Sequence, residues 1–260
     1  MKNIIAIFQK EIRSYFVSPM AYVVISLFLA ITGIFFYLIL SSFIEYSFAS
    51  MMRAQQFRMA PPPVNVNQMV IRPLFINMSI ISLFMLPMIT MRLFAEEKKS
   101  GTIELLFTSP ISNIEIILGK FFAGFLLYSA MIAGTVVYHI ILFKYGNPEF
   151  LPVVTGYLGL LLLGAATVAI GALISSLTEN QIIAAAGCFA IVMILWVIGW
   201  LSNYSGPFLG EIFSNLSIIE HFDDFAKGVI DSKHIVFYLS LSIFGLFLTY
   251  QSIESSKWRG

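Results

Sequence analysis

Six apolar runs, none containing Asp, Glu, Lys or Arg, limit what this chain can fold into. They are Met20–Leu40, Leu74–Met91, Phe121–Phe143, Leu151–Leu177, Ile182–Leu201 and His234–Tyr250. Crossing roughly 30 Å of hydrocarbon as a helix takes about 20 residues, and a helix satisfies its own backbone polar groups within one segment. The sixth run is short, and its helix is expected to begin near Val229. All 15 Lys and Arg and all 14 Asp and Glu lie outside the runs. Charged residues make up 11% of the chain, too few to coat a water-facing surface, where roughly 25% is usual. Composition therefore argues against a soluble enzyme, a nucleic-acid binder and a disordered chain, and a formal charge of +1 gives no polyanion-binding signal. A single cysteine, Cys188, excludes an internal disulfide framework and a Cys-rich metal site.

The expected fold is an all-α integral membrane domain spanning 1–260, with six transmembrane helices. An N-terminal amphipathic interfacial helix occupies 1–19. The spans fall at 20–42, 74–95, 112–143, 151–177, 181–201 and 234–252. An outer loop at 43–73, a cytoplasmic coupling helix at 96–111 and re-entrant outer helices at 207–233 complete the chain. The first run is too long for a signal peptide and meets Ser41 and Ser42 rather than a cleavage site, so it is retained as a span. An even number of spans puts both termini on one side. That side carries Lys2, Lys10, Arg13, Arg92, Lys98, Lys99, Lys120, Lys257 and Arg259; the other carries Arg53, Arg58, Arg72, Lys144, Lys227 and Lys233. The excess of basic residues places the termini in the cytoplasm.

The loops carry the more specific signals. Ile4, Ile5, Phe8, Ile12, Tyr15 and Phe16 recur at helical spacing, with Lys2, Gln9, Lys10 and Arg13 on the other face, and Ser18-Pro19 ends this helix. The first outer loop holds Pro61-Pro62-Pro63, which favours an extended form. In Arg92–Lys120, four consecutive charges are expected to carry the second helix out of the membrane before Gly101 allows a sharp turn. Thr102 to Thr108 then suffices for about two helical turns, with Ile103, Leu106 and Phe107 on one stripe. Pro110 stops it, and Ser112 with Glu115 forms a capping box for the next helix. The segment reads as a short rigid crossbar over the cytoplasmic mouth, the alternative being a stripe that rests on the membrane surface. Thr178 and Gln181 read as a second capping box, opening the fifth span.

Catalytic chemistry is not evident. His139, deep in a span, has no acidic or cysteine neighbour one turn away and reads as a hydrogen-bonding group; His221 with Asp223 and Asp224 is at most a weak outer cation site. No zinc-helix motif, no Gly-x-Ser-x-Gly elbow and no phosphate-cradling loop with its lysine occurs. Transporters coupled to ions usually carry ionisable groups at the midplane. The energy for any uphill movement must then come from another polypeptide. The alternative is a membrane anchor or an ion-coupled carrier working without an ATPase.

The run Glu96-Glu97-Lys98-Lys99-Ser100-Gly101-Thr102-Ile103-Glu104-Leu105-Leu106, followed by Thr108-Ser109-Pro110-Ile111 and Gly119-Lys120-Phe121, resembles the signature of ABC-2 type permeases, the membrane subunits of type V ABC exporters. Within that family the chain is similar to the gliding-motility and copper-maturation permeases of bacteria. The resemblance implies a permease in the bacterial cytoplasmic membrane that pairs with a second permease copy as a homodimer, or with a related chain as a pseudo-symmetric pair. It implies docking on cytoplasmic ABC ATPase subunits; the first outer loop, for its part, reads either as a simple connector or as a contact for a periplasmic or accessory envelope protein. ATP and Mg would act through the ATPase, with no cofactor, metal or nucleic acid bound by this chain. It assigns ATPase coupling to Glu96, Glu97, Lys98, Gly101, Thr102, Glu104, Leu105, Leu106, Ser109 and Pro110, and a connecting helix to Phe8, Ile12, Arg13 and Phe16. Gly33, Ala184 and Gly187 are implied at the dimer interface. The implied function is conversion of ATP-driven motion into substrate export or force transmission.

Overall fold

The computed structural model describes residues 2–58, 60, 64–104, 110–202 and 204–257. Among these every regular element is helical, and six stretches are long and apolar enough to cross a membrane. Helix α1 (Lys2–Val17) lies across the start of α5 (Asn113–Ala133). Ser18 then accepts a hydrogen bond from the Met20 amide and caps α2 (Pro19–Phe57), with Pro19 in the first turn, where its missing N–H costs nothing. A π-helical turn at Asn67–Ile71 leads into α3 (Arg72–Thr90). After α4 (Ala95–Lys99) and α5 come α6 (Val136–Tyr145), α7 (Phe150–Leu177) and α8 (Gln181–Ser202). Two short helices, α9 (Pro207–Leu216) and α10 (Glu220–Ala226), precede α11 (Ser232–Lys257).

The centre of the bundle is α3 against α7. In each, 67% of the span-forming stretch is buried, compared with 22% in α2, α8 and α11, which form the periphery. Close approach at the centre depends on missing side chains: a Cβ at Gly164 would collide with the Tyr128 ring, and one at Gly171 with Thr90. The Tyr128 hydroxyl donates to Ser82 at 3.1 Å and so joins α5 to α3. The bundle has two ends. The proximal face gathers α1, α4, the first turn of α5 and the last turns of α11; the distal face gathers Asn67–Ile71, α9 and α10.

Three features depart from the sequence expectation. Helix α2 does not stop near residue 42 but runs 39 residues, about 58 Å at 1.5 Å per residue. No Pro or Gly interrupts it between Gly33 and Pro61, and it ends only where Arg58 adopts φ 53 and returns its amide to Ala54 and Gln55. The Pro61–Pro63 triplet lies outside the described residues. Second, the four charges after the second span do not prolong it. Helix α3 ends at Thr90, a turn intervenes, and α4 restarts at Ala95. Third, α8 is capped by Asn180, whose Oδ1 accepts from the Ile182 amide at 2.9 Å, while Thr178 accepts from Asn180.

Candidate functional site

The break between α3 and α4 is held by one hydroxyl. Ser175, near the end of α7, donates to the Met91 carbonyl and accepts from the Phe94 and Ala95 amides, all at 3.0 Å. It thereby satisfies backbone groups that a helix terminus leaves orphaned. Lys98 donates to the Ser176 carbonyl at 2.6 Å, a cation at the negative end of α7. Ser176 in turn lies 3.0 Å from Ser252 of α11. The charged motif is therefore fastened to the end of α7.

Its two glutamates face opposite ways. Glu96 is exposed, whereas Glu97 points inward and is 8% exposed. Glu97 Oε1 accepts from Lys10 of α1 at 2.7 Å, and Oε2 stands 2.8 Å from Lys120 Nζ. Lys120, 1% exposed, also donates to Glu11 of α1 at 2.9 Å. Two cations thus face two carboxylates, and the quartet is neutral as a unit. Burial alone would lower the Lys10 ammonium; its hydrogen bond to Glu97 and the charges of Glu97 and Glu11 outweigh that and raise it above its usual value. Lys120 also lies 5.3 Å from the centre of the Phe94 ring.

Beside this quartet α1 presses directly on α5. A Cβ at Gly119 would come within 2.8 Å of Ile7, so the small residue next to Lys120 sets the spacing of the two helices. Asn3 donates to Glu115 at 3.1 Å, and Glu115 closes the capping box with Ser112 that the sequence suggests. Tyr15 donates to the Ile89 carbonyl of α3 at 3.4 Å. Helix α1 is thereby bound to α3, α4 and α5 together.

The other residues assigned from the family resemblance separate into groups. Gly101 has φ +70 and open space around it, and Thr102 lies 2.8 Å from Ser100 through their hydroxyls. Gly101, Thr102, Glu104 and Pro110 are exposed on the proximal face; Leu105, Leu106 and Ser109 lie outside the described residues. On α1, Phe8 and Ile12 pack partly against the core, while Arg13 and Phe16 are exposed. The inward face of α1 carries Ile7 and Glu11, which lie outside the expected stripe, together with Tyr15, which belongs to it. At the expected dimer positions the chain has uses of its own. Ala184 is 1% exposed, Gly187 abuts Ile174, and Gly33 accommodates Tyr138, whose hydroxyl donates to the Leu29 carbonyl at 2.8 Å.

The expected span 112–143 contains Lys120, yet the sequence counts it with the charges outside the apolar run and gives Glu11 no role. A usable signal was present: Ser112 and Glu115 start a helix that puts Lys120 two turns in, between Ile117 and Phe121, where an isolated cation has no solvent. On the distal face, Asp223 is not free for a cation. Its Oδ1 accepts from Arg72 Nε at 3.0 Å and Nη2 at 2.8 Å, its Oδ2 accepts from the same Nη2 at 3.0 Å, and it lies 2.6 Å from Lys227. His139 keeps a hydrogen-bonding role: Nδ1 is 3.0 Å from the Tyr157 hydroxyl, and the ring packs on Phe75.

The fold is that of a polytopic helical membrane bundle, apolar on its flanks, with a buried ionic clasp behind an exposed charged motif. The chain belongs to the ABC-2 transporter family: the family model for ABC-2 family transporter proteins matches residues 61–218, more than half of it. It is a multi-pass membrane protein and the permease component of an ABC transporter, and membership implies a partner ATP-binding subunit. A search of curated proteins finds no match.

Proposed function

We propose that this chain is the subunit that turns ATP-driven motion of a separate cytoplasmic ATPase into export, or into force delivered across a bacterial cytoplasmic membrane. In this reading the proximal face is cytoplasmic, with both termini on that side. Glu96, Lys98, Gly101, Thr102, Glu104, Leu105, Leu106, Ser109 and Pro110 form the docking edge, and ATP and Mg act within the ATPase. Glu97 belongs to the clasp behind that edge rather than to the contact itself. Phe8, Ile12, Arg13 and Phe16 belong to a helix that braces the edge from beside it.

The observation that supports this reading is the buried Glu97–Lys120–Glu11 chain, with Lys10 at its rim. A loop that only joins two spans has no need of ion pairs to two other helices. A lever does, because a push on the exposed motif reaches α1, α5 and, through Ser175, α7 without slack. A second permease copy would meet this one along the exposed flanks of α2 and α8, where Ile34, Tyr37, Ile183 and Ile194 are each more than half exposed. The type V class, the homodimer, the gliding-motility or copper-maturation branch and an accessory envelope partner are the finer parts of the same proposal.

The test is coupling in a reconstituted complex with the cognate ATPase. Glu104→Arg, or Leu105→Pro, is expected to leave membrane insertion intact while substrate no longer changes ATP hydrolysis. Unchanged coupling in both variants would overturn the docking assignment. Transport by the purified chain alone would instead favour an autonomous carrier.

A further inference from the structure

On the distal face, α10 and the first turn of α11 set two histidines side by side. His221 Nδ1 and His234 Nδ1 are 2.6 Å apart, and the rings meet nearly edge to face, with centroids 4.9 Å apart at 73°. Both are buried, at 6% and 4% exposure. Their outer nitrogens are spoken for: His221 Nε2 lies 3.0 Å from the Asn215 carbonyl and His234 Nε2 2.9 Å from Asp224 Oδ2.

Those partners determine the protons. A carbonyl oxygen can only accept. Asp224 is also an acceptor: burial would raise its carboxyl, but His234 and Lys227 outweigh this and hold it below the usual range. Both Nε2 atoms must therefore carry hydrogen. A neutral imidazole has one N–H, so two neutral rings would point two lone pairs at each other across 2.6 Å. Two imidazolium rings would point two N–H groups at each other. Only the pair holding one proton between its Nδ1 atoms forms a hydrogen bond there. Burial, followed by the charges of His234 and Lys233, pushes the His221 ring down, and the Asp224 carboxylate lies 2.9 Å from His234 Nε2.

We propose that His221 and His234 form a one-proton latch that fastens α10 to the start of α11 and opens when the shared proton is lost or a second one arrives. The charges around it fit a single positive charge. Glu220, Asp223 and Asp224 come from α10, Asp231 from the connection, Lys227 from the end of α10, Lys233 from α11 and Arg72 from α3. Three cations face four carboxylates, and the shared proton completes neutrality. Helix α7 adds no ionised group to the cluster, only the Thr155 hydroxyl, which donates to the Phe225 carbonyl at 2.8 Å; α11 also adds the Tyr238 hydroxyl, which donates to Ile218 at 2.6 Å. Release of the latch frees the helix that seats Phe222 and Phe225 against α7.

The sign of the pH dependence follows for each limb. Loss of the shared proton leaves two lone pairs facing each other, so the latch is closed at lower pH and opens once pH rises far enough to remove that proton. The second proton is refused in the folded chain, so that stabilisation is present at higher pH and is lost as pH falls. Amide hydrogen exchange of residues 217–238, with the chain in lipid nanodiscs from about pH 4 to about pH 10, should show a protected window with faster exchange on both sides. Histidine nitrogen-15 spectra inside the window should show two protonated Nε2 atoms and a proton shared between the Nδ1 atoms. Asp224→Asn should move the upper edge of the window down by about one pH unit or more, and His221→Asn should abolish the window. Protection in the unmodified chain that does not vary with pH, or two neutral rings while the segment stays protected, would overturn the latch. Should His221→Asn fail to fold, an unmoved edge in Asp224→Asn would overturn it as well.

Discussion

Lys120 is the residue on which the proximal face turns. It is buried between two carboxylates from different elements, so its charge cannot be removed without leaving another uncompensated. Breaking a buried ion pair from one side typically costs about 3–5 kcal/mol, whereas replacing the whole group can be neutral. Lys120→Met should therefore lower stability in detergent by about 3 kcal/mol, read from chemical unfolding. Adding Glu11→Gln to Lys120→Met should recover a large part of that loss, because the remaining Lys10–Glu97 pair is balanced. If the double variant is as unstable as the sum of its parts, the quartet does not act as a unit. Lys120 was hidden in the sequence because a positive-inside count treats every lysine at a span boundary as solvated. Glu11 was hidden because helical periodicity sorts residues by hydrophobicity, and a carboxylate on the buried side then reads as an exception. Partners distant in sequence explain both, and spacing alone does not contain them.

At the scale of elements, most of the helices were legible because apolar length in lipid leaves the backbone almost no alternative. Their ends were legible where a local cap decides them. Ser18-Pro19 and Ser112 with Glu115 behave as their neighbours in sequence dictate. Where a distant group decides, the neighbouring sequence does not specify the end. Pro87 weakens the helix one turn earlier without fixing where it ends; the Ser175 hydroxyl, from α7, holds the turn after Thr90 by serving three backbone groups. The length of α2 was missed for the opposite reason. Its second half is polar enough to read as a loop, yet it holds no residue that breaks a helix. Ser175→Ala should cost about 1–3 kcal/mol by leaving two buried amides unmatched. It should also increase hydrogen exchange at Phe94 and Ala95 before it affects the rest of α3. Ser175→Thr keeps the hydroxyl and should restore protection at those two amides. Loss of protection spread evenly along α3 would mean that the hydroxyl does not hold the turn.

For the molecule as a whole, the question is how its two ionic clusters sense one another across an apolar middle. Helix α7 touches both. Its start bonds to α10 through Thr155, and its end holds the α3–α4 turn through Ser175. Between them it packs on α3 and α5 without side chains at the tightest points, so relative motion of these helices is that of close-packed solids. Gly164→Ala tests this stiffness. Its Cβ would enter the Tyr128 ring, whose hydroxyl is tied to Ser82, leaving the ring little freedom to move aside. Overpacking of this kind costs about 1–3 kcal/mol. The expected result is lower stability together with weaker coupling to the ATPase, although neither cluster has been altered. Gly206→Ala is the control: it meets nothing within 4 Å, and as a helix cap it should cost under about 1 kcal/mol and leave coupling unchanged. If Gly164→Ala is destabilised but couples normally, the middle of the bundle holds the spans together without carrying motion, and the link between the two faces must run along the peripheral helices or through a second copy.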